Sequence, residues 1–334
     1  MVTRQLPNPS ELLELMQFKK PDLNLKRRRL ESALTIYDLR AIAKRRTPKA
    51  AFDYTDGAAE GELSLGRARQ AFEDVEFHPD ILRPAADVDM SCEILGGPSA
   101  LPFGQGWHVP RAATLEDIAH VREAFVNSAK RAVRIGFDAI ELHYAHGYLA
   151  HSFLSPVSNQ RTDQYGGSLE NRMRLGREIA RAVREAVPKN IALGARITGA
   201  DWRDDGLTPD DAVAYAKALK TDGLDYIDVS SGGVTADTRT PTTPGYNVPI
   251  AERIKKEAGI ATRVVGMITA PAQAESIVAE GRADMVALGR GMLDDPRWGW
   301  HAGAELGADV VRAPQYLRAG PKMWSPAQRA RVAS

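Results

Sequence analysis

From about residue 112 onward the sequence repeats one pattern, a stretch with helical periodicity followed by a short run of apolar residues. The runs stay apolar throughout rather than alternating with polar residues, which predicts strands buried on both faces. Helices between consecutive strands predict parallel βα units, which form either a doubly wound sheet or a barrel. Five strands are expected, at residues 137–142, 191–198, 225–231, 262–268 and 284–290.

The rest of the sequence predicts further helices and a boundary between two parts of the chain. Before residue 95 the sequence has no convincing buried strand and is typical of short helices separated by Pro, Gly and Asp-Gly breaks. Residues 96–110, GGPSALPFGQGWHVP, are rich in Gly and Pro. We therefore predict a helical segment over residues 1–95 and a βα portion over residues 96–334. Within the βα portion, helices are expected near residues 114–134, 168–187, 208–222, 248–258 and 271–281.

Composition excludes several classes of protein. The 44 basic and 43 acidic residues give a net charge of +1, which does not favour a nucleic-acid partner. A single cysteine, Cys92, excludes an internal disulfide framework and a multi-cysteine metal site. No apolar run reaches the ~18 residues of a membrane helix, and the N-terminus lacks the apolar core of a secretory signal. We expect a cytoplasmic protein that acts on a small molecule.

The stretch ELHYAHGYL, residues 141–149, carries the first candidate site. The strand is expected to end near Leu142, so His143 and His146 would stand on the loop at its carboxyl end, where βα proteins build active sites. Two imidazoles there can donate hydrogen bonds to one substrate oxygen, and the phenol of Tyr148 can deliver a proton. Spacing alone favours a plainer interpretation, one capping histidine and one surface histidine. A zinc site would need a third ligand, so no metal is expected.

Two further patterns suggest an anionic ligand. Gly266 and the pair Gly289-Arg290 each follow an apolar run, in the last two predicted strands. Barrels often bind phosphate with the loops after their last two strands, although each glycine alone also fits an ordinary turn. Arg196 lies inside the run IALGARIT, where a buried guanidinium needs a partner. Its partner would be an anionic ligand or, in the plainer interpretation, Asp228 on the next strand.

Residues 98 to 320 resemble the old yellow enzyme family of FMN-dependent ene-reductases, in particular a thermophilic-like subclass. The most specific piece is ELHYAHGYLAHSFLSPVSNQRTDQYGGSLENR, residues 141–172. Shorter pieces are VVGMIT, ALGR and PQYLR, residues 264–269, 287–290 and 314–318. The resemblance implies a (β/α)8 TIM barrel with FMN at the carboxyl end of the strands. It also implies reduction of activated alkenes, such as enones and nitroalkenes, with NADPH or NADH as the hydride source.

The resemblance also assigns the substrate-binding residues. It implies that His143 and His146 bind the activating oxygen of the substrate and that Tyr148 donates a proton to the α-carbon. Arg318, in PQYLR, matches an arginine that one subclass inserts into the site of a neighbouring subunit. A homo-oligomer is therefore expected.

Four residues are assigned to the cofactor by the same resemblance. It implies that Arg196 contacts the flavin ring and that Gly266, Gly289 and Arg290 hold the FMN phosphate. The family places three more strands before the one that ends in ELHYAHGYL, and their flavin-contacting motifs are not found in this sequence. We therefore predict an incomplete barrel of five βα units, with an open sheet and two exposed edges.

The N-terminal part resembles a different FMN family. Residues 34–83 are similar to the N-terminus of the α-hydroxy-acid dehydrogenases, in which the tyrosine that matches Tyr54 binds the substrate carboxylate. The two resemblances together predict a chimera with a crossover within residues 96–104. Two alternatives to an ene-reductase thus remain open. One is an inactive chimeric protein with residual phosphate or flavin binding, and the other is an α-hydroxy-acid dehydrogenase.

Overall fold

The computed structural model describes residues 24–33, 35–58, 61–75, 96–312 and 314–320. Contacts divide the chain into two compact units, Met1–Met90 and Ser91–Ser334. The predicted boundary at residue 95 falls outside the described residues.

The first unit is helical where it is described. Four helices, α1 to α4, span Leu25–Glu31, Ile36–Arg46, Lys49–Asp56 and Leu63–Glu73. Helix α2 begins at a capping box, in which the Thr35 hydroxyl accepts from the Asp38 amide and the Asp38 carboxylate accepts from the Thr35 amide. The short helices predicted for this part of the chain are confirmed.

The second unit is built on a five-stranded parallel sheet. Strands β1 to β5 span Ala139–Tyr144, Ala192–Thr198, Tyr226–Ser230, Ala261–Val264 and Met285–Val286. Their order in the sheet is the same as their order in the chain. A doubly wound sheet reverses its order at a switch point, whereas a barrel does not. The structure therefore confirms the α/β class with five βα units in barrel-like order.

All five helices predicted for this unit are present, and its eight described α-helices precede, separate and follow the strands. They are α5 (Leu115–Arg134), α6 (Leu149–Leu154), α7 (Leu169–Ala186), α8 (Pro209–Thr221), α9 (Val248–Ala258), α10 (Pro271–Ala279), α11 (Arg290–Asp294) and α12 (Trp298–Glu305), followed by a 3-10 helix, Pro314–Ala319. Thr114 and Thr208 form capping boxes, which fix the starts of α5 and α8. In the described part of the chain, no helix is long and apolar enough to cross a membrane.

Three strand boundaries differ from the prediction. Strand β1 extends to Tyr144, so His143 lies in the strand and not on the loop after Leu142. Strand β4 ends at Val264 because the backbone turns at Gly266 and Met267, whose φ angles are 133° and 50°. Strand β5 contains only Met285–Val286, and helix α11 begins at Arg290, within the predicted strand.

The prediction that the strands are buried on both faces is confirmed for β2 and β3, whose residues are buried or half-buried throughout, but not for β1, in which Ala139 and His143 are exposed. One face carries buried residues such as Leu142, Ile197 and Val229, and it packs on the helices. Tyr144 on this face donates to the Gly176 carbonyl of α7 at 3.0 Å. The opposite face carries charged and polar side chains, because successive strand residues point to opposite sides. The candidate site lies on this polar face.

Candidate active site

The rings of His143, His146 and Tyr148 lie together at the carboxyl end of β1. The His143 ring centroid is 5.3 Å from that of His146 and 5.3 Å from that of Tyr148. His143 is exposed and Tyr148 retains 65% of its accessible surface. The three side chains that the sequence singled out are thus neighbours, and two of them are accessible to a ligand.

A tight turn after β1 presents this cluster. His146 and Gly147 both have left-handed backbone angles, with φ values of 61° and 75°. The His146 amide donates to Thr198 Oγ1 at 3.0 Å, and His146 Nε2 lies 2.6 Å from Ser230 Oγ. A left-handed conformation is strained for a residue with a side chain, so contacts from β2 and β3 hold it in place.

Both imidazoles are shifted toward their neutral forms. Burial, followed by the charge of Arg196, lowers the pKa of His146 to about 4. The same two causes lower the pKa of His143 below its ordinary value. At neutral pH both rings are therefore uncharged, and each can donate only the hydrogen bond of its single N–H.

Arg196 belongs to a row of side chains that crosses the polar face. The strand register places His143 beside Arg196, Arg196 beside Asp228, and Asp228 beside Arg263. Arg263 donates to the buried Asp228 carboxylate at 2.9 Å, whereas Arg196 Nε lies 3.8 Å from it. Arg263 is thus the main partner of Asp228, and the Arg196 Nε atom is buried without a hydrogen bond.

Arg263 also contacts Glu141, so one cation bridges β1, β3 and β4. Burial, with the nearby charge of Asp228, raises the pKa of Glu141. Burial and the Glu141 carboxylate raise the pKa of Tyr226 to about 12. Glu141, Tyr226 and Arg263 were not predicted as site residues, although Arg263 interrupts an apolar run in the same way as Arg196 does. A charged residue inside a strand was the signal that could have found them.

The two loops predicted to hold phosphate lie at one edge of the sheet, because β4 and β5 are paired neighbours. Gly266 is buried, and a side chain there would come within 3.0 Å of Tyr246 and Asn247. Gly289 is exposed, and a side chain there would meet nothing within 4 Å. Gly266 is thus required for packing, whereas the open surface lies around Gly289 and the exposed Arg290.

A cavity of about 360 Å³ opens beside Tyr148. Its wall includes Leu101, Phe103, Val157 and Val234. Residues 96–113 are fixed next to it, because Arg161 donates to the carbonyls of Pro98 and Ala113 at 3.0 and 2.6 Å. The cavity is large enough for a small organic molecule.

Two further predicted residues are exposed. Tyr54 is 90% exposed on α3 of the first unit. Arg318 is exposed in the 3-10 helix at Pro314–Ala319, where the neighbouring Tyr316 ring packs 4.7 Å from the Arg297 guanidinium. Among the described residues no cluster of three His, Cys, Asp or Glu side chains could hold a metal ion.

Comparison with known proteins gives one family match. A family model described as NADH:flavin oxidoreductase / NADH oxidase family matches residues 65–307. An NADPH dehydrogenase of Geobacillus sp. (strain WCH70) is 49% identical over 221 residues, which are 66% of this chain and 64% of that protein. The chain therefore spans less than two thirds of the length of this relative.

Solved structures give the same architecture. A 2-naphthoyl-CoA reductase in complex with 2-naphthoyl-CoA superposes with a TM-score of 0.59 and 28% identity, over 64% of this chain and 33% of the other. A morphinone reductase mutant in complex with tetrahydroNAD gives a TM-score of 0.52 and 27% identity, over 66% and 62%. The family match begins at residue 65, inside the segment 34–83, and these findings do not support the predicted resemblance of that segment to α-hydroxy-acid dehydrogenases.

Proposed function

This chain belongs to the NADH:flavin oxidoreductase / NADH oxidase family, and from that membership we propose that it uses FMN and NADPH or NADH to reduce activated alkenes. The predicted resemblance of residues 98–320 to old yellow enzymes is confirmed at the level of this family. Because the chain covers only 64% of its Geobacillus relative, the activity itself is part of the proposal.

The polar face suits a flavin. Arg196 has a buried Nε atom without a hydrogen bond and lies beside His143, so it can donate to an electron-rich ring. The open surface at Gly289 and the exposed Arg290 suit a phosphate. When bound, FMN would be reduced by NADPH or NADH and would then supply a hydride to the β-carbon of the alkene.

The residues of the cluster complete the reaction. The neutral His143 and His146 donate hydrogen bonds to the carbonyl or nitro oxygen, which withdraws electron density from the alkene. Tyr148 donates its phenolic proton to the α-carbon, so hydride and proton together saturate the double bond. The apolar wall at Leu101, Phe103 and Val234 receives the hydrocarbon part of the substrate. Arg318, which is exposed, is available to a second copy of the chain in a homo-oligomer.

The observation that carries this proposal is the meeting of two imidazoles and a phenol, with 5.3 Å between ring centroids, beside Arg196. Hydrogen-bond donors and a proton donor beside a polar, cationic face are what the reduction of an enone requires.

The test begins with a visible spectrum of the purified protein with and without added FMN. We expect a bound flavin, which NADPH bleaches under anaerobic conditions and cyclohexenone then reoxidises. The variant His143→Ala should retain FMN and its reduction by NADPH, while reoxidation by the enone slows by about 10²- to 10³-fold. His120→Ala, on the exposed side of α5, is the matched control.

Two results would count against the proposal. A protein that takes up no FMN would correspond to the inactive chimera. If the FMN-loaded His143→Ala variant is reoxidised by the enone at the wild-type rate, the cluster does not hydrogen-bond the substrate oxygen.

A further inference from the structure

A buried histidine and aspartate lie behind the cluster and take no part in the proposed reaction. His151 on α6 and Asp201 after β2 are both fully buried. His151 Nε2 lies 3.1 Å from Asp201 Oδ1. Asp201 Oδ2 accepts from Ser155 Oγ at 2.6 Å and from the Leu207 amide at 2.8 Å. Burying two ionisable groups costs free energy, so their contact is expected to have a structural or functional role.

The other nitrogen of His151 reaches the active-site turn. The Gly147 amide donates to His151 Nδ1 at 2.7 Å. An Nδ1 atom that accepts a hydrogen bond carries no proton, so the proton of the neutral ring resides on Nε2, where it faces Asp201. The hydrogen-bond partner of one imidazole nitrogen thus determines whether the other nitrogen carries the proton.

Gly147 is the residue between His146 and Tyr148. Its φ of 75° follows the φ of 61° at His146, and a side chain at Gly147 would lie 2.0 Å from the Gly233 carbonyl oxygen. The turn is therefore strained and tightly enclosed, and the His151 hydrogen bond satisfies the amide at its centre.

We propose that Asp201 is a positioning residue that fixes the Nε2–H tautomer of His151, so that Nδ1 holds the Gly147 amide and keeps His146 and Tyr148 in the geometry for reaction. The tautomer and the turn stand on their own, whereas the kinetic consequence depends on the proposed alkene reduction. Hydrogen bonds from Ser155 Oγ and the Leu207 amide to Asp201 Oδ2 favour the charged carboxylate, and among the described residues neither Asp201 Oδ1 nor His151 Nε2 has another hydrogen-bond partner. The carboxylate is therefore available as the acceptor.

The first test measures the tautomer directly. The chain has seven histidines, so nitrogen-15 NMR of histidine-labelled protein gives a tractable spectrum, and loss of one signal in His151→Asn assigns His151. We expect a protonated Nε2, an unprotonated Nδ1 and slow hydrogen exchange at the Gly147 amide. A proton on Nδ1, or fast exchange at Gly147, would overturn the proposal whether or not the protein reduces alkenes.

The second test uses Asp201→Asn in the FMN-loaded protein. The new amide presents an N–H to His151 Nε2, which moves the ring proton to Nδ1 and sets it against the Gly147 amide. We expect reoxidation by cyclohexenone to fall about 10- to 100-fold, because the donors are misplaced, while reduction of FMN by NADPH is unchanged. Asp222→Asn is the matched control, since Asp222 is also buried but pairs with Arg177 and Arg181 of helix α7.

A pair of substitutions at His151 separates the two hydrogen bonds. His151→Asn keeps an acceptor near the Nδ1 position, and His151→Gln keeps a donor near the Nε2 position. We expect His151→Asn to retain more of the reoxidation rate and more protection of the Gly147 amide than His151→Gln. Equal losses in both variants, or a loss in Asp201→Asn no larger than in Asp222→Asn, would show a purely structural role. If the wild-type protein reduces no alkene, the proposed function fails, and the NMR and exchange results still decide the tautomer.

Discussion

At the scale of single residues, the proposed role of Tyr148 as the proton donor has the clearest test. Its phenol is 65% exposed beside the His143 ring. We expect Tyr148→Phe to slow reoxidation of the reduced flavin by an enone about 10²- to 10⁴-fold, the usual contribution of a general acid. Reduction of the flavin by NADPH should not change, because that step needs no protein proton. Stopped-flow measurement of the two half-reactions separates them.

The control for this variant is Tyr54→Phe. Tyr54 lies in the first unit and would matter only if the α-hydroxy-acid dehydrogenase alternative were correct. We expect Tyr54→Phe to leave both half-reactions unchanged. If Tyr148→Phe reoxidises at the wild-type rate, Tyr148 is not the donor.

His146 should give the folded state a pH dependence. Its pKa of about 4 in the folded protein is below the ordinary 6.5, mainly because of burial and then Arg196. As the pH falls below about 6.5 the unfolded chain binds a proton that the folded protein does not, so stability is lost until the pH reaches about 4. The free energy of unfolding in urea, measured between pH 7 and pH 4, should fall less steeply in His146→Asn than in the wild type.

The comparison between variants isolates this contribution, because His143 and the carboxyl groups also titrate in the same range and are present in both proteins. His120→Asn removes an exposed histidine of α5 and should leave the slope unchanged. Parallel curves for His146→Asn and the wild type would show that His146 binds its proton equally well in both states.

At the scale of elements, the turn after β1 depends on glycine for two reasons that can be separated. Gly147 and Gly167 have nearly the same φ, 75° and 78°, but a side chain at Gly167 would meet nothing within 4 Å. Gly167→Ala should lower the free energy of unfolding by about 1–2 kcal/mol, the cost of a left-handed residue with a side chain. Gly147→Ala should cost clearly more, because its side chain would overlap the Gly233 carbonyl. Urea denaturation of the two variants measures the difference.

The elements also show what the sequence could predict. Helix starts came within one or two residues because their signals are local, as with Thr114 and Thr208, whose side chains cap the backbone. Strand ends were predicted less well. The apolar run that contains most of β4 continues to Ile268, although the backbone has already turned at Gly266. Apolar composition reports burial and not backbone direction, so it does not show where a strand stops.

For the candidate site, the residues within ELHYAHGYL were predictable because they adjoin one another in sequence. Arg263 and Asp201 were not predicted, because their partners lie far away in the chain. Arg263 on β4 meets Glu141 on β1, although two strands lie between them in the sheet. Asp201 lies in the loop after β2 and meets His151 on α6. Both contacts come from the tertiary arrangement, which the local sequence pattern does not specify.

At the scale of the whole molecule, the sheet of the second unit has two edge strands in its described part. Strand β1 pairs only with β2, and β5 pairs only with β4. An unpaired strand edge offers backbone donors and acceptors to another chain. The two ends differ, since β5 has two residues, a length that limits pairing, whereas β1 has six. Strand β1 is therefore the edge at which a second copy would pair.

This asymmetry leads to a test by sedimentation velocity over a concentration series. We expect the protein to self-associate and Ala139→Lys to weaken the association, because Ala139 is exposed on β1 and a lysine on an edge strand opposes pairing. Ala119→Lys adds the same charge on the exposed side of α5 and should leave association unchanged. If both variants associate like the wild type, contacts other than the β1 edge join the copies, and the exposed Arg318 would be the next residue to substitute.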